Sequence, residues 1–151
     1  MSTAAFVTAG AGFLLAVLWF DLMFDVQVLG HVGDELPEAV LGSIAGYYRR
    51  VTMQARPMNR LVAAVMLATI VAIVWEIADD EAAAWVGWAS LVLAAGPILL
   101  AGAHTVPSAV RLGARADGVE IQSQLARTIF RDHVLCLAAV ACLVVVQLGF
   151  A

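Results

Sequence analysis

The chain has 151 residues, enough for one domain. Hydrophobic residues make up 63% and charged residues 13%, against about half and about a quarter in a soluble domain, and the mean hydropathy is +0.94. That leaves too little polar surface to cover the chain in water, so an ordinary soluble enzyme is excluded and the lipid bilayer is the expected solvent. The formal net charge is −4, and all eight basic residues are arginines. Acids are interleaved with them and no soluble domain is left to carry a basic surface, which excludes nucleic acid as a partner.

Residues 1–4 carry no positive charge ahead of the first apolar run, so that run reads as a retained helix, not a cleaved signal. It extends over about 4–29, interrupted by Asp21, Asp25 and Gln27, and ends at Gly30. At 1.5 Å per residue it is long enough to cross a core of about 30 Å with some tilt. Residues 37–54 open with Pro37, shortly after the acidic Glu35, a helix-start signal. Val40, Leu41, Ile44, Tyr48 and Val51 recur there at helical spacing, and Tyr47, Tyr48, Arg49 and Arg50 suit the headgroup level. An amphipathic interfacial helix, or a cytoplasmic extension of the second span, is expected. Pro57 opens a second span at 57–77, where a first-turn proline is tolerated.

An acidic turn of Glu76, Asp79, Asp80 and Glu81 leads to a third span at 82–104. Gly96 and Pro97 are a candidate kink in it. Residues 108–130 read as a polar, partly helical connection, and 133–150 as the fourth span. Cys136 and Cys142 lie six residues apart in that span, which turns them away from one another, and they read as packing residues. Small residues such as Gly10, Gly12, Ala94, Ala95 and Gly102 permit close helix packing within the chain or between copies. The expected fold is therefore all-α: one membrane domain over 1–151, a four-helix transmembrane bundle with one interfacial helix, assembled as a homo-oligomer.

Seven of the eight arginines fall in 30–58 and 105–132, and Arg60 starts the second span. By the positive-inside rule these segments face the cytoplasm, and both termini lie on the other side of a cell inner membrane. Trp75, Trp85 and Trp88 then cluster at the outer interface.

Ionisable side chains inside a span are costly and mark functional sites. Asp21 and Asp25 share one helix face. They lie about 13 Å and about 7 Å inside the helix end, counted back from Gly30. At the same depth the other spans bring Asn59 and Arg60, His104, and His133 beside Asp132. One polar layer at the cytoplasmic end is the result. It reads as a pocket in which Asp21, Asp25, His104 and His133 are candidate catalytic residues and candidate ligands of a divalent metal. Without a metal, either histidine beside a carboxylate is a candidate general base. The competing reading pairs the aspartates with Arg60, Arg111 or Arg131 and leaves the histidines to interfacial hydrogen bonds. His31, beyond Gly30, is a reserve ligand. Glu76 reads as an interfacial carboxylate, and Gln147 as an interhelical hydrogen-bond former.

The arginine pairs at 56 and 60, 111 and 115, and 127 and 131 are each four apart. Such faces signal topology, and they also bind phosphate or carboxylate groups of lipids or ligands. Arg111, Arg127 and Arg131, with Asn59, are the candidates for holding a bound molecule.

Three stretches carry a resemblance: the first span with its following loop, His104-Thr105-Val106-Pro107, and 127–133. With the four-span layout, they resemble the small four-helix membrane proteins related to anthrone oxygenases. The resemblance implies a bundle that handles an aromatic or quinone-like lipophilic substrate near the inner membrane face, as an oxidoreductase. It carries over to His104, Arg127, Arg131 and His133 only; Asp21 and Asp25 lie outside that pattern. The eicosanoid and glutathione membrane enzymes share size and topology, but their Asn-x-x-Glu signature is missing after Asn59, where Val62 stands. Two other classes stay open. One is a small oligomeric ion- or proton-coupled transporter using Asp21 and Asp25, with Glu76 at its outer mouth. The other is an accessory membrane subunit without chemistry of its own.

Overall fold

The computed structural model describes residues 2–79 and 82–151; Asp80 and Glu81 of the expected acidic turn, and the Arg56 side chain, lie outside the described residues. The fold is all-helical, with no strand among the described residues. The helices are α1 (Thr3–Asp25), α2 (Glu38–Arg49), α3 (Arg56–Ala78), α4 (Ala84–Leu100), α5 (Val106–Ala114) and α6 (Val119–Phe150). A 3-10 turn, Val26–Gly30, prolongs α1.

Among the described residues, four segments are long and apolar enough to cross a membrane: Thr3–Gly30, Pro57–Ala78, Ala84–Ala114 and Val119–Phe150. The side chains on their outer faces agree with a lipid solvent. Trp19, Phe20, Leu67, Val92, Leu99 and Leu148 are each more than three-fifths exposed, an apolar coat that water would not tolerate. The protein is a multi-pass membrane protein.

The four spans form a closed ring in which α1 and α4 each pack between α3 and α6. Val7, Ala11 and Leu14 of α1 meet Ile73, Ala94, Val140 and Leu143 along its axis. Gly10 lets α1 come close to α3, since a Cβ there would sit 2.1 Å from Thr69 Oγ1.

A second core closes one end. On α2 the buried residues are Leu41, Ile44, Ala45 and Tyr48, spaced as one stripe of an amphipathic helix. They pack on Val28, Leu36, Leu112, Ala126 and Ile129 from the 3-10 turn, the loop after it, α5 and α6. The interfacial helix is thus a lid on the bundle. It presses so tightly on α5 that a Cβ on Gly113 would lie 2.8 Å from the Arg49 backbone nitrogen.

Two boundaries differ from expectation. The third span does not end at His104. A π turn, Ala101–Thr105, carries it directly into α5. Pro107 has no N–H for the Ala103 carbonyl and its ring presses on that group, so the ladder widens just before it. The fourth helix starts at Val119, not His133. Nothing breaks the helix between them, and Gln122, Ser123, Ala126 and Ile129 form a buried stripe that docks it. His133 is therefore a mid-helix residue. A π turn, Arg50–Gln54, likewise ends α2.

Candidate functional site

The last turns of α1 set Asp21 and Asp25 one above the other on the face met by α2 and α6. Two successive residues of α2 answer them. The Tyr47 hydroxyl donates to Asp21 Oδ1 at 2.6 Å, and the Tyr48 hydroxyl donates to Asp25 Oδ1 at 2.6 Å. From α6, His133 Nδ1 lies 2.7 Å from Asp25 Oδ2 and 3.3 Å from the Tyr48 hydroxyl. The other ring nitrogen, Nε2, is 3.9 Å from Asp21 Oδ2, too far for a hydrogen bond.

Asp25 is completely buried and Tyr48 and His133 nearly so, whereas Asp21 and Tyr47 are partly exposed. Tyr47 also stacks on Phe24, with ring centroids 4.1 Å apart. Burial first, and then the neighbouring aspartate charges, push both phenols far above the usual tyrosine range. They stay protonated and serve as permanent donors. Two carboxylates one helix turn apart are held together by two phenols and an imidazole, with arginine taking no part among the described residues.

His104 belongs elsewhere. The π turn at the end of α4 directs its Nδ1 to Asp132 Oδ2 at 2.7 Å, and Thr105 Oγ1 donates to the same oxygen at 2.9 Å. The His104 side chain is half exposed. The layer expected to unite Asp21, Asp25, His104 and His133 is thus divided in two. His133 joins the aspartates, and His104 joins Asp132.

The same division bears on the expected metal. Among the described residues, no group of three or more His, Cys, Asp or Glu is arranged to hold a metal ion. Phenol and imidazole donors take up the Asp25 oxygens that a metal would need.

Three of the four residues expected to hold a bound molecule are engaged within the chain. Arg111 makes two bonds to Asp117, at 2.7 and 2.8 Å. Arg127 donates to the carbonyls of Gly33 at 2.6 Å and His31 at 3.3 Å, fastening the loop after α1. Asn59 donates to the Thr52 carbonyl at 3.2 Å. Arg131 is exposed. The alternative pairing of the aspartates with Arg60, Arg111 or Arg131 is not formed.

Tyr47, Tyr48, Asp132 and Thr105 were not among the expected site residues. Tyr48 gave a signal: it falls on the apolar stripe of α2, and a buried phenol needs a hydrogen-bond partner. A groove of about 610 Å³ between α1 and α3 is lined by Phe6, Gly10, Phe13, Val65, Thr69 and Trp75 among others. Its α1 residues come from the N-terminal half, so it does not reach the aspartates.

At the other end of the bundle Glu76, expected as an interfacial carboxylate, is buried between the helices. Gln147 Nε2 donates to both its oxygens, at 3.1 and 3.3 Å, and to Ser90 Oγ at 2.9 Å. Gln147 does make the interhelical bond expected of it.

Fold and site together define a multi-pass integral membrane protein with a buried carboxylate–imidazole–phenol network at its lidded end. No protein-family model, curated protein or solved structure matches the chain significantly.

Proposed function

We propose that this membrane protein performs acid–base chemistry on a lipophilic small molecule at the lidded end, which faces the cytoplasm of a cell whose inner membrane it spans. One observation carries this reading: the Asp25–His133 dyad. Asp25 accepts from Nδ1 at 2.7 Å, which fixes the tautomer and leaves Nε2 free to take a proton. Nε2 faces Asp21 Oδ2 across 3.9 Å, so a second carboxylate is placed to stabilise the imidazolium that results. In this scheme His133 is the base, Asp25 its positioning residue, and Asp21 with Tyr47 the part of the site reached from outside.

The arginine distribution supports the orientation. The resemblance to anthrone oxygenase-like proteins favours an aromatic or quinone-like molecule. The step proposed is removal of an acidic C–H or O–H proton, which moves to His133 Nε2 and leaves the conjugate anion on the bound molecule.

The test uses a hydroxyanthrone or hydroxynaphthoquinone probe with the protein in lipid nanodiscs. Wild type should bind it saturably and shift its absorbance to that of the anion at a pH where the free probe stays protonated. His133→Gln should abolish the shift. A probe that does not bind, or that shifts equally with His133→Gln, overturns the reading.

Proton-coupled transport is a second reading, favoured by a specific observation. A buried carboxylate, Glu76, stands at the opposite end from Asp21 and Asp25. Proton flux in proteoliposomes, driven by a gradient of the same probe and lost with Asp21→Asn, would support it; flux-silent binding would count against it.

A further inference from the structure

Two features of the lipid-facing side of the bundle have no use in the acid–base site. The first is the groove of about 610 Å³ between α1 and α3. Small residues line its middle: Ala9 and Gly10 on α1, Ala68 and Ala72 on α3. Large ones stand at its ends, Phe6 with Trp75 and Phe13 with Leu61. From Leu61 to Trp75 α3 rises about 21 Å, more than the about 15 Å that one leaflet contributes to the apolar core. Thr69 is buried, and its hydroxyl is spent on the Val65 carbonyl at 2.8 Å. It therefore offers an occupant carbon surface and no free donor. A hydrocarbon chain suits such a groove.

The second feature is positive charge at the lidded end of the same groove. Arg60 immediately precedes Leu61 and is exposed. Eleven residues, about three helix turns, separate it from Val71, which also lines the groove, so both lie on one side of α3. Arg50 is exposed too, at the π turn that leads into α3. Among the described residues no carboxylate pairs with either, whereas Arg111 and Arg115 are taken by Asp117 and Glu38.

We infer that the α1–α3 groove, with Arg60 and Arg50 at its end, is a binding site for an anionic phospholipid of the leaflet at the lidded end. One acyl chain lies in the groove, and the phosphate meets the Arg60 guanidinium, whose planar fork matches phosphate oxygens. Arg50 adds a second charge that favours an anionic headgroup over a zwitterionic one.

A helix of a second copy fits less well. It is about 10–12 Å wide and would rest on Phe6, Leu61 and Trp75, each about half exposed or more, before reaching the small residues. Gly10 is also consumed within the chain, where an added Cβ would meet Thr69 Oγ1 at 2.1 Å. The inference does not rest on the acid–base site, and either can fail alone.

The test offers the detergent-purified full-length protein an equal mixture of phosphatidylglycerol and phosphatidylcholine with the same acyl chains. Native mass spectrometry counts the lipid retained. The two lipids share phosphate and tails and differ in net charge. Wild type should retain phosphatidylglycerol in preference. Arg60→Gln should lower that preference about fivefold, as expected for one arginine at a charged lipid surface, and Arg60→Lys should keep most of it. Ala68→Phe fills the groove from an exposed position and should abolish retention of both lipids at wild-type helix content. Arg60→Gln alters only an exposed side chain, so its result stands whatever Ala68→Phe does to folding. Equal retention of the two lipids by wild type, a preference unmoved by Arg60→Gln, or undiminished binding in folded Ala68→Phe overturns the assignment. A dimer that Ala68→Phe dissolves also overturns it, because a second copy would then occupy the groove.

Discussion

Tyr48, on the helix that lids the bundle, donates its hydroxyl at 2.6 Å to Asp25, the fully buried carboxylate at the end of the first span. The lid and the acidic site are therefore one structure. Tyr48→Phe keeps the ring in the core and deletes only the donor. It should lower the unfolding free energy by about 1.5–3 kcal/mol, the range for a hydrogen bond to a charged group. Tyr47→Phe should cost less, because Asp21 is partly exposed and water can replace the phenol. Denaturant titrations of the two variants in one detergent check the order; equal losses would contradict it.

The bundle and its lid were legible because apolar run length and helical spacing decide both. The extent of the helices at the lidded end was not. Helix α6 starts at Val119 because its amphipathic first half finds α2 and α5 to pack on, a tertiary cause that no local signal carries. Depth along each span correctly brought His133 to Asp25, but it could not separate His133 from His104. That separation depends on which way each side chain turns. For His104 the direction is set by the π turn before Pro107, and the residue is sent to Asp132. The burial of Glu76 was not legible because its neighbours, Trp75 and Asp79, are both exposed. One helix step from an exposed tryptophan is enough to face the interior.

The two tyrosines of the chain are Tyr47 and Tyr48, so tyrosinate absorbance observes this site alone. Burial, and then the aspartate charges, raise both phenols above the ordinary value. The folded state thus holds its protons more tightly than the unfolded chain. The stability this gives is complete below the unfolded value, near pH 10, and is lost as pH rises towards the folded value. The slope is at most about 1.4 kcal/mol per pH unit per tyrosine. Folded protein should therefore show no tyrosinate absorbance at a pH where free tyrosine is largely ionised, and the signal should appear only with unfolding. Early ionisation of both phenols, without loss of helicity, would contradict the buried network.

Gly113 tests how closely the lid is seated. A Cβ there would meet backbone atoms of Arg49, at 2.8 Å from N and 3.0 Å from Cα, and no flexible side chain can move aside. Gly113→Ala should cost about 1–3 kcal/mol by overpacking. Gly42 and Gly46, on the open face of α2, have nothing within 4 Å of an added Cβ. Alanine at either should be neutral or stabilise by about 0.5–1 kcal/mol through helix propensity. Limited proteolysis between α2 and α3 follows lid opening. Cleavage should accelerate with Gly113→Ala and not with Gly46→Ala.

Asp132 separates a supporting contact from a peripheral one. It is nearly buried, and its Oδ2 receives Thr105 Oγ1 at 2.9 Å and His104 Nδ1 at 2.7 Å. The His104 side chain is half exposed, so water can take its place, and His104→Ala should cost no more than about 1 kcal/mol. Thr105 is buried, so Thr105→Val removes a donor that water cannot readily replace and should cost about 1–3 kcal/mol. His104→Ala should also leave the anion shift of the bound hydroxyaromatic probe intact, because Asp132 and not His133 is its partner. If His104→Ala abolished that shift without lowering stability, His104 would have to belong to the acid–base site, and the two halves of the polar layer would be functionally one.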